Sequence, residues 1–515
     1  MWAGAGLRAG AGIPGNALRA NLGLERKGIR VVRDSGKEYA LSSGAASTSV
    51  SPNNGLSPPH FELFIVTFIF AFRFAKSVVF YVANFVAFRS AKVLRVNALS
   101  HSERRQCCTK FTPNFYASMF EFLPIAPPDS ILGLSDAFTR DPRTNKINLT
   151  VGVFKDEQGR TPILATVKKA EEILLRTESS KSYMPIEGHP GYLTAVVDLV
   201  FGKSVDVARV AAAQTPGGTG ALRVGADTVA KHFPGTRIWL SNPTWANHGS
   251  IFQAAGLQTP VYPYLTADKT ALDFSEMMGE LKSKGRRGDL VCLHACCHNP
   301  TGVDPSLEQW REISQLLSEK QMVPFVDFAY QGFGDGLDAD ALPLHALLEK
   351  NPEAIVCNSF SKNFGLYWER VGTVMLVGKE ATTTEAALSQ LRQAVRCNYS
   401  NPPRHGAATV ATVLNDPTLR AEWIAEVDGM RNRISQMRAM FIAEMKGTNA
   451  NRDFSFLSRQ KGMFSYSGLN SMQADWLKKE RAIYIVGTGR INVAGMATST
   501  MQTLCSAIAE CVQAT

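Results

Sequence analysis

The stretch LVCLHACCHNPTGVDPSLEQWREISQLLSEKQMVPFVD, residues 290–327, reads as strand, loop, helix and strand. Leu290–His294 is a short apolar run. Asn299-Pro300-Thr301-Gly302 is turn chemistry, Leu307–Lys320 has helical character, and Val323–Val326 is a second apolar run that ends at Asp327. A strand that returns to its sheet through a helix lies parallel to its neighbour. The same alternation continues on both sides. Arg237–Leu240 and Ala354–Cys357 read as further strands, and Ala165–Arg176 and Ala221–Lys231 as amphipathic helices. Strands alternating with helices give an α/β fold, with a mainly parallel sheet covered by helices on both faces. From about Pro417 a long helix pattern, Leu419–Met445, is followed by short strands around Met463–Tyr466 and Arg490–Val493, which suggests a smaller α/β domain.

The unusual residues gather where strands end. Asn242-Pro243-Thr244-Trp245 follows one strand and Asn299–Gly302 another; Asp327 and Tyr330 sit at the end of a third, and Ser359 to Lys362 follow a fourth. Open α/β sheets bind ligands just beyond the carboxyl ends of their strands, so these ends describe one site.

The chain has 515 residues and a formal charge of +10, with 45% hydrophobic residues. Its length implies two or three domains. Residues 1–118 hold 15 of the basic and 5 of the acidic residues, which leaves 40 of each in the remainder. The body therefore has no bulk attraction to nucleic acid or to an anionic membrane. Nine cysteines, among them the adjacent pairs Cys107-Cys108 and Cys296-Cys297, do not form a disulfide framework, and a reducing compartment, the cytoplasm, is expected.

Residues 1–60 are rich in Gly, Ala, Ser and Pro and read as disordered. Phe61–Phe88 is apolar and aromatic, but Arg73 and Lys76 interrupt it, leaving pieces too short to span a bilayer. A membrane-surface helix or a transit peptide would fit this composition. Composition, charge balance and pattern all change at Met119-Phe120-Glu121. The expectation is an over-extended reading frame, with Met119 as the true start.

Thr215-Pro216-Gly217-Gly218-Thr219-Gly220-Ala221 opens a helix whose free N–H groups favour a phosphate, although the spacing fits neither the dinucleotide fingerprint nor the Walker loop. Ser359, Ser361, Lys362 and Arg370 add two hydroxyls, an amine and a guanidinium within twelve residues. Their flanks, Phe360, Phe364, Leu366, Tyr367 and Trp368, are too apolar for a solvated loop. A lysine set among aromatics has its charged form disfavoured and becomes a usable nucleophile and base. His294, Cys296, Cys297 and His298 invite a metal reading, but no second Cys/His pair lies elsewhere in the body, so packing at a strand end is expected and no metal. Ser359-x-x-Lys362 also matches an element of penicillin-recognising serine acylases, whose partner elements Ser-Asp-Asn and Lys-Thr-Gly are absent.

From Met119 to Thr515 the chain resembles the class I (fold type I) pyridoxal-phosphate-dependent aminotransferases, in particular the aspartate and aromatic amino-acid subgroup. The motifs, in order, are Val151-Gly152-Val153, Tyr183–Gly188, Gln214–Ala221, Ser241–His248, Cys297–Gly302, Asp327–Gly332, Ser359–Leu366 with Glu369–Gly372, Asn398–Pro403 and Gly489–Met496. The resemblance implies the fold type I architecture: a large cofactor-binding domain over 163–429 and a small domain made of 119–162 and 430–515. It implies that Lys362 carries pyridoxal phosphate as a Schiff base and moves the proton at the substrate's Cα. Asp327 would pair with the pyridine nitrogen, Tyr330 and Asn299 would bond the phenolic oxygen, and Trp245 would stack on the ring. Gly218, Thr219, Ser359, Ser361 and Arg370 would bind the phosphate, with Tyr183 of the neighbouring subunit. Arg490 and the backbone of Gly152 would take the substrate's α-carboxylate, and the neighbour's Arg396 a distal carboxylate. An obligate homodimer with shared sites follows. Arg396 argues for dicarboxylic substrates with 2-oxoglutarate as acceptor, while Tyr183–Gly188 looks more like the aromatic-preferring members. The expected substrates are aromatic amino acids and aspartate; the alternative is a strict aspartate enzyme.

Overall fold

The computed structural model describes residues 120–129 and 131–515, together with two two-residue strands, Val31–Val32 and Glu38–Tyr39, that pair antiparallel. The chain separates into two units, Met1–Pro113 and Asn114–Thr515. Apart from those four paired residues, the expectation of disorder in 1–60 lies outside the described residues, as do those of an apolar segment at 61–88 and of a start at Met119. No helix among the described residues is long and apolar enough to cross a membrane.

The second unit is built on a seven-stranded sheet. In chain order its strands are β1 (Val210–Pro216), β2 (Ile238–Asn242), β3 (Val261–Pro263), β4 (Leu290–His294), β5 (Val323–Phe328), β6 (Ala354–Ser359) and β7 (Val371–Val377). Their spatial order is β1-β7-β6-β5-β4-β2-β3. All pairings are parallel except those of β7, which runs antiparallel to both β6 and β1. The central strands are buried on both sides, which explains why they read as continuous apolar runs rather than alternating ones.

The helix after β4 spans Leu307–Lys320, as its sequence predicts. Ser306 and Gln309 form a capping box at its start, and Gln321 closes it in the left-handed region. Such a cap stabilises a helix by about 1 kcal/mol. Other boundaries shift. β2 runs Ile238–Asn242 rather than Arg237–Leu240, because Arg237 makes only an isolated bridge to Gln258. β5 continues through Asp327 to Phe328, and β6 through Ser359, so both polar residues are rungs of strands, Asp327 the last but one and Ser359 the last. The helix expected from Ala221 already begins at Gly217, directly after β1.

The helix Pro417–Lys446 has 30 residues, about 45 Å at 1.5 Å per residue. Its buried side chains Leu419, Trp423, Val427, Met430, Ile434, Met437, Phe441 and Met445 recur every three or four positions, forming one apolar stripe. Beyond it, Phe464–Tyr466 pairs antiparallel with Arg490–Asn492, and Ile483–Tyr484 pairs parallel with Ile147–Asn148. The last pairing ties the beginning of the described body to its end.

Candidate active site

Lys362 lies three residues past the end of β6, in a loop packed by its own aromatics. Phe360 and Phe364 are fully buried and meet edge to face at 5.3 Å. Phe364 stacks on Trp423 of the long helix at 4.5 Å, and the Trp423 indole N–H donates to the Asn363 carbonyl at 2.9 Å. The loop is thus bolted to that helix. Lys362 Nζ donates to the Gly152 carbonyl at 2.9 Å and sits 5.0 Å from the centre of the Tyr367 ring. Burial pushes its pKa from 10.5 down to about 8, helped by the guanidinium groups of Arg370 and Arg490 and opposed by Asp327. The sequence reading of a lysine pinned among aromatics therefore describes its surroundings.

One end of the cavity is built for an anion. Gly217 begins the helix after β1 with φ +72°, and a Cβ there would stand 2.4 Å from Arg370 Nη2. Only glycine lets the guanidinium lie against the helix start. Arg370 donates to the Ser361 hydroxyl at 3.3 Å and to the Tyr367 carbonyl at 3.0 Å, and among the described residues no carboxylate neutralises it. Strand register places Ser359, Gly372 and Thr215 level on three adjacent strands, so the Ser359 hydroxyl faces the same helix start. Helix N–H groups, hydroxyls and an uncompensated guanidinium form a donor set suited to a phosphate dianion.

In the middle lies Asp327, beside His294 in the β4–β5 register. His248 Nε2 is 3.1 Å from Asp327 Oδ2, and its Nδ1 is 2.8 Å from the Thr244 hydroxyl. With the hydroxyl donating to Nδ1, the ring proton sits on Nε2 and is given to the carboxylate. His294 is held neutral, its pKa pushed down to about 3 by burial and by His248, and it accepts the Asn299 backbone N–H at 3.1 Å. Trp245 meets His248 edge-on at 5.3 Å.

At the other end Arg490 is buried, with its guanidinium 4.2 Å above the Phe464 ring. It donates to Asn299 Oδ1 at 3.3 Å and to the Thr150 carbonyl at 2.5 Å, while its Nε has no partner among the described residues. Burial lowers its pKa to about 10. A buried guanidinium facing only neutral acceptors is ready for a carboxylate. The Asn299 amide donates to the Tyr330 hydroxyl at 3.3 Å, and burial together with Asp327 raises the Tyr330 pKa.

These groups line one cavity of about 420 Å³, which contains Gly152, Gly218, Thr219, Trp245, Asn299, Asp327, Tyr330, Ser359, Ser361, Lys362, Arg370 and Arg490. Tyr183 and Arg396 do not line it: Tyr183 is 92% exposed, and Arg396, also exposed, bonds the Ser400 hydroxyl. Several lining residues had no role in the sequence reading, among them Asp129, Ile131 and Phe464, and His248, which contacts Asp327, was also missed. The one available signal was the four-residue spacing of Thr244 and His248 inside a motif already singled out. His294, Cys296 and His298 would share a face on a continuous strand, but β4 stops at His294. The two histidine rings still come within 4.3 Å, while Cys296 and Cys297 turn towards Asp340.

Comparison with known proteins agrees with this geometry. The family described as "Aminotransferase class I and II" matches residues 144–508. An aspartate aminotransferase of Salmonella typhi is 50% identical over 393 residues, 76% of this chain and 99% of the relative. An aromatic-amino-acid aminotransferase of Escherichia coli (strain K12) is 41% identical over 395 residues, 76% of this chain and 99% of that one. Among solved structures, an aromatic-amino-acid aminotransferase from Burkholderia pseudomallei, covalently bound to pyridoxal phosphate, superposes with a TM-score of 0.74 at 42% identity, covering 77% of this chain and all of the other. The chain belongs to the class I and II aminotransferases, in the fold type I architecture.

Proposed function

We propose that the protein is a pyridoxal-phosphate-dependent transaminase that moves the amino group of aromatic amino acids and of aspartate to 2-oxoglutarate. The observation that carries this reading is Lys362: a half-buried amine with its pKa lowered to about 8, between an anion cradle and Asp327, in a cavity that ends at Arg490, which pairs with no carboxylate among the described residues. The donor set at the helix start fits the cofactor's phosphate, and Asp327 fits a protonated ring nitrogen. Bound there, the cofactor supplies an electron sink that acidifies the substrate's Cα–H bond.

The residues then divide the work. Lys362 would hold the cofactor covalently until the substrate's amine takes its place, and the Lys362 amine so freed would take and return the proton at Cα. Asp327, oriented by His248, keeps the ring nitrogen protonated. Tyr330 and Asn299 would donate to the phenolic oxygen, and Trp245 would stack on the ring and so orient the reacting bond. Gly218, Thr219, Ser359, Ser361 and Arg370 hold the phosphate. Arg490 takes the α-carboxylate as a two-pronged donor, beside Gly152.

The working assembly is a homodimer in which the partner subunit's Tyr183 and the partner subunit's Arg396 complete each site. Supporting this, both side chains are exposed and lie outside the cavity of their own chain, and Trp368, next to the lysine loop, is 95% exposed. The large domain is 163–429 and the small domain 119–162 with 430–515. The proposed compartment is the cytoplasm, in keeping with seven free cysteines among the described residues.

Substrate choice rests on Arg396, which favours dicarboxylates, and on Tyr183–Gly188, which favours aromatics. The test is the ratio of kcat/KM for phenylalanine or tyrosine to that for aspartate. A ratio near or above one supports the broad assignment; a ratio far below one leaves a strict aspartate enzyme.

A further inference from the structure

Asn299 stands between Tyr330 and Arg490, and its side chain makes a weak bond to each, 3.3 Å on both sides. Neither contact is short enough to fix the amide. What fixes it is the backbone just before it. The Cys297 N–H donates to Asp304 Oδ2 at 2.7 Å, and the His298 N–H to Asp304 Oδ1 at 2.8 Å. The Asn299 N–H donates to His294 at 3.1 Å. Two successive N–H groups thus converge on one carboxylate while the third is held by His294, and Cys297 takes φ +54°, the left-handed conformation that opens such a concavity. In many proteins an anionic ligand fills a nest of this kind; here the chain fills it with its own carboxylate. The arrangement is reinforced outside the nest. The His298 ring stacks on Tyr264 at 3.8 Å, and the Tyr264 hydroxyl donates to the Val303 carbonyl at 2.7 Å.

We infer that Asp304 is a positioning residue for the reaction: by clamping the backbone N–H groups of Cys297 and His298 it sets where the Asn299 amide points. The carboxylate is suited to this because its two oxygens each accept one N–H, an arrangement no neutral side chain of the same size reproduces. Burial raises its pKa to about 6, with Lys461 opposing and Asp340 assisting, so it is ionised at neutral pH. A left-handed residue other than glycine costs roughly 1–3 kcal/mol and persists only where its surroundings hold it. Asp304 supplies that hold, and it acts on the cofactor only through Asn299.

The inference rests on the proposed binding of pyridoxal phosphate with its phenolic oxygen at Asn299, and the test separates the two. The cofactor-loaded wild type is titrated with pH while its absorption above about 400 nm is followed. A donor aimed at the phenolic oxygen favours the deprotonated form, so misaiming it raises the midpoint. Asp304→Asn, which turns one acceptor into an N–H₂ facing an N–H, is expected to raise the midpoint by about one pH unit, a tenfold change in the equilibrium. Asn299→Ala raises it as well, and adding Asp304→Asn to Asn299→Ala moves it no further, because residues acting through one contact are not additive. Asp304→Glu keeps both acceptors and serves where the asparagine variant does not fold; its smaller shift must also vanish in the Asn299→Ala background. An unmoved midpoint in a folded Asp304 variant overturns the inference, as does an equal shift with and without Asn299. A wild type that shows no pH-dependent band overturns the cofactor reading itself.

Discussion

Replacing Gly217 by alanine tests the anion cradle quantitatively. Two effects act on the folded chain. At φ +72° an L-residue costs about 1–2 kcal/mol, of which about 0.4–1 kcal/mol is returned because alanine restricts the unfolded chain. Stability should therefore fall by no more than about 1.5 kcal/mol. The second effect is local. The new Cβ would stand 2.4 Å from Arg370 Nη2 and 2.8 Å from its Cζ, so the guanidinium must retreat by about 1 Å to reach ordinary contact. Its hydrogen bonds to a phosphate dianion do not survive that shift. A hydrogen bond to a charged group contributes about 1.5–3 kcal/mol, which weakens cofactor binding roughly 10- to 150-fold. The assay is equilibrium titration of the apoprotein with pyridoxal phosphate, run beside chemical denaturation of the apoprotein. A large loss of affinity with a small loss of stability is expected. Unchanged affinity in a folded variant would refute the assignment of Arg370 and the helix start to the phosphate.

The lowered pKa of Lys362 has a kinetic consequence. Only the neutral amine attacks an aldehyde, so the rate at which the apoprotein takes up pyridoxal phosphate should rise with pH and level off above about 8; a rise continuing towards 10.5, the ordinary lysine value, contradicts the burial argument. Arg396→Ala should lower kcat/KM for aspartate and glutamate about 10- to 100-fold and that for phenylalanine by much less, since only the former carry a second carboxylate; equal losses in steady-state assays refute the role. Trp423→Ala removes a fully buried side chain that stacks on Phe364 and bonds Asn363, and should cost about 3–5 kcal/mol in denaturant unfolding while loosening the lysine loop. His248→Phe removes the donor to Asp327 while keeping an aromatic ring between Trp245 and Phe252. Its kcat should fall below the wild type's, because Asp327 loses the group that orients it, and an unchanged kcat would show that His248 has no such role.

The parts legible in the sequence are those that local physics decides. Leu307–Lys320 could be bounded because its cap, its stripe and its left-handed end lie within the segment. The lysine loop could be recognised because its aromatics are its neighbours in sequence. β7 escaped because its direction depends on how the turn around Arg370, itself at φ +54°, sends the chain back between β6 and β1. The contact of Lys362 with Gly152 joins positions 210 residues apart, and that of Arg490 with Thr150 joins positions 340 apart. No periodicity carries such information; only the motif order of the family did. His248 was overlooked for a related reason. Its value lies in Asp327, 79 residues away, and a buried histidine in a helix is otherwise unremarked. Tyr183 and Arg396 depend on a second chain, so their roles rest on the family alone.

The central claim is that Lys362 is the residue that holds the cofactor. Borohydride reduction of the reconstituted protein fixes the bound cofactor to its amine, and peptide mass mapping then reads which residue carries it. The account predicts a pyridoxyl group on the peptide containing Ser359-Phe360-Ser361-Lys362, stoichiometric in the wild type and absent in Lys362→Ala. A label on another lysine, or none on a protein that nevertheless transaminates, would contradict it.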